Sequence, residues 1–207
     1  MRPYNSGMQR AATMFLLLAA MPHAQEPKVP TQVRAEFRVF AGTEEITAST
    51  RLRIMPTGAR DRPMGIPEGA RLVTDLPPGI YDVQALRHRQ GAIVGIRWAE
   101  RLVVMYYPDE GGRHLEVINF QPGYGALQLR AAKGQLDAYE VAIFPARERS
   151  KPAAPPLEGE GYKLFVVPSG RYDVRVRPAG GAANDEETRW FLDIEVPSDR
   201  TRIKVVD

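Results

Sequence analysis

The sequence predicts an all-β fold of two tandem Greek-key β-sandwich modules, and three observations carry that prediction. Apolar and polar residues alternate with period two along most of the chain, the pattern of strands with one buried and one wet face. Eighteen prolines and eighteen glycines fall mostly between the alternating runs, where turns need a preset φ or a positive one. A turn motif also occurs twice, as Leu76-Pro77-Pro78-Gly79-Ile80-Tyr81-Asp82-Val83 and as Val167-Pro168-Ser169-Gly170-Arg171-Tyr172-Asp173-Val174; the tyrosines lie 172 − 81 = 91 residues apart.

Residues 1–24 read as a signal peptide. Arg2 and Arg10 precede or flank an apolar run, Ala11 to Met21, and small residues follow up to Ala24. That run is short of the ~20 apolar residues that span a bilayer. Cleavage before Gln25 is expected; retention as an uncleaved anchor is the alternative, because Pro22 suits a signal peptidase poorly. No second apolar run follows, so no membrane span is expected after cleavage, and the location is periplasmic or extracellular. Cysteine is absent, which excludes both disulfides and a lipidated N-terminal cysteine. The net charge of +3 falls to 3 − 2 = +1 without Arg2 and Arg10, too little to draw the chain to nucleic acid.

The modules are expected at 25–120 and 121–207. In the first, Val33, Ala35, Phe37 and Val39 alternate with Arg34, Glu36 and Arg38. In the second, Tyr172, Val174 and Val176 alternate with arginines and an aspartate, and Trp190, Leu192, Ile194 and Val196 alternate with Phe191, Asp193 and Glu195. Ile54-Met55-Pro56 and Ile143-Phe144-Pro145 each end a strand ahead of a long Pro/Gly-rich loop, and Ser150 to Pro156 reads as an extended, disordered stretch. Trp98 and Trp190 occupy equivalent places after the repeated turn, and equivalence predicts that each covers its module's core. The junction, Gln121 to Gly125, is too short for a floppy linker.

In the repeated turn, proline presets φ and glycine takes φ > 0. A tyrosine two residues after the glycine has the spacing of a tyrosine corner, whose hydroxyl bonds back to the backbone upstream. Pro78, Gly79, Tyr81, Gly170 and Tyr172 are therefore read as structural. The pattern resembles the PEGA and carboxypeptidase-regulatory-like modules, which are prealbumin-like sandwiches. The resemblance implies an extracytoplasmic location, tandem use and no catalysis by the module itself.

The residues predict no catalytic set, no cofactor site and no metal site. His88 and His114 lack metal-ligand spacing and are expected at the surface. The four serines after residue 24 lie outside any nucleophile elbow. The carboxylates Asp109-Glu110 and Asp185-Glu186-Glu187 sit among turn residues and read as solvated hairpin tips rather than a calcium site. Arg171, Arg175 and Arg177 line one strand face, where cross-strand ion pairs with Asp193 and Glu195 are expected. Tyr106, Tyr107 and Tyr124 are the candidate partner surface. The expected role is a non-catalytic, exported interaction or accessory protein of the bacterial envelope with a protein partner; a carbohydrate-binding module is the alternative.

Removing the Tyr81 hydroxyl (Tyr81→Phe) is expected to lower stability by about 1 kcal/mol, one net hydrogen bond, without changing function. An unchanged melting temperature would count against the corner.

Overall fold

The computed structural model describes residues 30–106, 113–131, 136–180 and 187–206. The signal segment, Tyr107 and the carboxylates Asp109, Glu110, Asp185 and Glu186 lie outside them. Fifteen strands and two single-turn 3-10 helices form the regular structure of the described residues.

The strands make four sheets. In the first, β1 (Val33–Ala41) pairs antiparallel with β2 (Glu44–Glu45) and β5 (Leu72–Leu76), and parallel with β8 (Arg113–Asn119). The second runs β4 (Met64–Ile66), β3 (Thr50–Pro56), β6 (Gly79–Arg89), β7 (Ala92–Val104), antiparallel throughout. The third runs β11 (Leu157–Gly159), β12 (Tyr162–Pro168), β9 (Tyr124–Ala131), β15 (Thr201–Val206), with β15 parallel to β9. The fourth runs β10 (Tyr139–Pro145), β13 (Gly170–Pro178), β14 (Arg189–Val196).

Apart from the short strands β2, β4 and β11, the first two sheets and the last two trace the same path. In each pair the first strand takes its last strand in parallel and its middle strand antiparallel: β1 with β8 and β5, β9 with β15 and β12. Each pair encloses one apolar core. Phe37, Val39, Leu52, Leu72 and Val83 belong to one, and Leu127, Ile143, Phe165, Val174 and Val196 to the other. The alternation of β1 explains its placement: Val33, Ala35, Phe37 and Val39 are fully buried, and the residues between them face away from that core.

A third cluster joins the two sandwiches. Phe40, Leu115 and Val117 from the first sheet pack with Ala126, Tyr162, Leu164 and Val166 from the third. These side chains lie on the faces turned away from their own cores, so the two sheets stack back to back. Polar ties rim this apolar contact: the Tyr162 hydroxyl donates to Glu36 Oε1 at 3.2 Å, Thr201 Oγ1 accepts from the Val117 amide at 2.9 Å, and Arg113 pairs with Glu160. The Tyr162 hydroxyl is pushed up by burial and by the nearby Glu36 carboxylate.

Four expectations need correction. Neither Gly79 nor Gly170 takes a positive φ; a Cβ at Gly79 would lie 3.3 Å from the Tyr81 ring, so the packed corner tyrosine, not backbone freedom, favours glycine there. The strict alternation expected from Trp190 to Val196 breaks, because two residues of β14 oppose one residue of β13 between Tyr172 and Val174. Phe191 and Ile194 therefore pack on the core together with Val196, while Leu192 is 57% exposed and Trp190 faces outward. The same bulge in β7 leaves Trp98 on the outer face, so neither tryptophan covers a core. The Ser150–Pro156 stretch is also placed rather than disordered: the Ala153 amide donates to Ile143 O at 2.7 Å, and Ala154 bridges Ile143 along the free side of β10.

Leu164 is fully buried between the sandwiches. Leu164→Ala is expected to cost about 2–4 kcal/mol through lost contact and a residual cavity. Calorimetry should show the single unfolding transition broaden or split, and an unshifted transition would deny the coupling.

Candidate functional site

Each repeated turn builds one polar device on the outer face of its sandwich. The Tyr81 hydroxyl donates to Pro77 O at 2.7 Å, and that of Tyr172 to Pro168 O at 2.6 Å. The next residue, Asp82 or Asp173, is buried and lies opposite the bulge in the neighbouring strand. The bulge residues Arg101 and Asp193 have φ of 55° and 56°, a conformation that non-glycine residues adopt only when something holds it. Here the aspartates hold it: Asp82 Oδ1 accepts from the Arg101 amide at 3.0 Å, and Asp173 Oδ1 accepts from the Asp193 amide at 3.0 Å.

An arginine from the preceding loop closes each device. Arg60 Nε donates to Asp82 Oδ2 at 3.0 Å, and its guanidinium lies 4.9 Å from the centre of the Trp98 ring. Arg149 Nε donates to Asp173 Oδ2 at 3.3 Å and lies 4.3 Å from the Trp190 ring. The Trp190 ring also packs against Phe144, with centres 5.5 Å apart. A cation over an aromatic face is attracted by the ring quadrupole, so each arginine ties a Pro-rich loop to the sheet. The bulge amide of Arg101, with the Arg60 guanidinium behind it, holds the Asp82 carboxyl below its ordinary range; the Asp193 amide does the same for Asp173. Sequence reasoning read Tyr-Asp-Val for its tyrosine and missed its aspartate. The signal available was the aspartate's recurrence in both copies beside an arginine-bearing loop.

Of the predicted partner residues, Tyr107 lies outside the described residues. Tyr106 packs against the first core, and Tyr124 against the cluster between the sandwiches, and both are half-buried. Both histidines are withdrawn from the surface, contrary to expectation. The His88 side chain is 10% exposed, with Nδ1 3.8 Å from Glu68 Oε2. His114 is buried, with Nε2 3.4 Å from Glu116 Oε1. Thr201 completes that group by donating to Glu116 Oε2 at 3.0 Å. Its proton is committed to the carboxylate and its oxygen to the Val117 amide, which makes it a tie between β15 and β8 rather than a nucleophile. Arg171 pairs with Asp193 as expected, whereas Arg175 and Arg177 pair with Glu140 on the other neighbouring strand.

The exposed apolar surface collects on β7. Ile93, Val94, Ile96, Trp98 and Val103 are each more than a third exposed on this one strand. Leu86, which pairs with Ile96 on the neighbouring strand, is buried. Isolated exposed apolar residues are ordinary, but a contiguous row marks a contact surface. No group of three or more His, Asp or Glu among the described residues could hold a metal ion. No helix of the described residues is long and apolar enough to cross a membrane.

No protein-family model matches the chain, and no curated protein matches it by sequence. Among solved structures, the Bacillus anthracis TIE protein is 17% identical over 85% of this chain and 34% of its own, with a TM-score of 0.29. This chain thus spans about a third of that one's length. The tip fimbrial protein Mfa3 from Porphyromonas gingivalis is 10% identical over 77% of this chain and 80% of its own, with a TM-score of 0.28. A streptococcal ancillary pilin is 13% identical over 85% of this chain and 61% of its own, with a TM-score of 0.26.

Asp82→Ala is expected to lower stability at neutral pH by about 2 kcal/mol, because the part-buried hydrogen bond from the Arg101 amide to the carboxylate is lost. The folded pKa of Asp82 is lowered, so its ionised form contributes fully above the ordinary value near ~4, and that contribution is lost as pH falls through the folded pKa. Denaturation measured across pH should show the gap between wild type and variant narrowing in acid. A gap that is constant with pH would deny the carboxylate's part.

Proposed function

We propose that the protein is a non-catalytic, exported interaction module of the bacterial envelope, built from two sandwiches of the PEGA and carboxypeptidase-regulatory-like kind. The observation that carries this reading is the row of exposed apolar side chains on β7, from Ile93 to Trp98. The back-to-back stack through Leu115, Val117, Leu164 and Val166 supports it, because a packed junction presents that row in a fixed direction. The charged N-terminal segment and its short apolar run support export. A glycan platform fits less well: the Trp98 ring is overlaid by Arg60, and Tyr106 and Tyr124 are engaged in packing.

A pull-down of the protein from envelope extract, beside a glycan-binding screen, tests the reading. A protein partner retained by wild type and lost on Ile93→Ser with Ile96→Ser is expected. Glycan binding with no protein partner would overturn it.

A further inference from the structure

Every sheet ends in two edge strands, and an open edge invites another strand unless it is short, charged, bulged or covered. The described edges are managed in these ways, with one exception. β4 and β11 have three residues each. β2 and β5 carry Glu44, Glu45 and Asp75. β8 is covered where Thr201 takes the Val117 amide, and β10 where Ala153 and Ala154 lie along Ile143. β15 carries Arg202 and Lys204, and β14 carries Arg189, Asp193 and Glu195.

β7 is the exception over its first half. It is the edge of its sheet and the longest described strand, at 13 residues. From Arg97 onward it is occupied: Arg97 Nη2 pairs with Asp199 at 2.5 Å, and Arg200 Nη2 donates to Glu100 O at 3.2 Å. From Ala92 to Ile96 it has no charge, no proline and no second strand, and Ile93, Val94 and Ile96 are 53%, 55% and 57% exposed. The charge left unpaired around it has one sign, because Glu68 beside His88 is held by Arg51 at 2.9 Å. Arg87 and Arg89 on the hairpin and Arg101 further along β7 have no acidic partner among the described residues. Glu100, the acidic residue of β7, is taken by Arg60.

We propose that the Ala92–Ile96 edge of β7 takes up an extended segment of a partner protein in which apolar and acidic residues alternate, adding it as a further strand. Main-chain hydrogen bonds would fix the segment along the edge. Its apolar side chains would cover Ile93 and Ile96, and its carboxylates would meet Arg87 and Arg89. A second copy of this chain is the less suitable occupant, because pairing β7 with itself brings two arginine-rich hairpins to one edge. The proposal rests on the interaction-module reading and names the strand that performs it.

The test uses two short synthetic peptides, one alternating isoleucine with glutamate and one alternating isoleucine with lysine. The glutamate peptide is expected to bind, more weakly as salt rises, to protect the 92–96 amides from hydrogen exchange, and to lose about tenfold in affinity with Ile96→Lys. Val94→Lys serves as a second variant, and equal melting temperatures show that both still fold. Binding of both peptides alike, of neither, or with protection elsewhere would overturn the proposal. So would a wild-type dimer that Ile96→Lys dissolves, which makes a second copy the occupant. An envelope partner captured equally well by Ile96→Lys overturns this edge and leaves the interaction-module reading standing.

Discussion

The contact on which the two sandwiches depend is a buried carboxylate holding a bulged amide. Asp82 and Asp173 each accept the amide of a residue at φ near 55°, in the strand beside them. Without that acceptor the amide would be left unpaired beside the sheet, and the bulge would relax toward regular pairing. A regular strand would turn every residue on one side of the bulge to the opposite face. Either Leu102 and Val104 would then leave the first core, or Trp98 would be driven into it. The carboxylate therefore fixes which face of β7 and β14 is apolar. It also fixes where the tryptophans stand, and through them where Arg60 and Arg149 anchor their loops.

The second constraint is the stack between sandwiches. A sheet in an ordinary sandwich has one dry face and one wet one. The first and third sheets here are buried on both faces over much of their area, which is why Leu115, Val117, Leu164 and Val166 appear in strands whose inward positions are filled by other residues. Burial of Lys163 and Arg130 follows from the same packing. Lys163 reaches Glu158 at 3.0 Å, and the Arg130 guanidinium lies 5.9 Å from the Tyr162 ring. With the junction dry and tied at its rim, neither sandwich can be displaced without exposing apolar surface.

Much of the architecture was legible because it rests on local chemistry. The turn at Pro78, Gly79 and Tyr81 is encoded within a few residues, and alternation in β1 runs unbroken. What was not legible depends on partners distant in sequence. No local signal marks Asp193 as a bulge residue, since the carboxylate that holds it lies at Asp173, so Trp190 was assigned to the wrong face. The continuous apolar run of β12 carries no indication that one of its faces meets another module. His114 was expected in water because nothing beside it in sequence reveals that Glu116 and Thr201 close over it. The tyrosines favoured for contact were chosen for weak constraint in sequence, yet Tyr106 and Tyr124 are constrained by tertiary packing.

The two sandwiches share the corner, the bulge and the arginine-covered tryptophan, so a difference in function between them must lie in what they do not share. β6 and β7 run for 11 and 13 residues, against 9 and 8 for β13 and β14. The extra length places Ile93, Val94 and Ile96 beyond the loop that Arg60 pins, where the first sandwich offers them no cover. The edge strand β14 carries Arg189, Asp193 and Glu195, charges that oppose strand addition. The second sandwich carries charge along its β14 edge and backs the first through the apolar junction, while the first extends one hairpin into solvent. The chemistry of that hairpin, apolar along the edge and cationic around it, is the part of the molecule that the scaffold does not require.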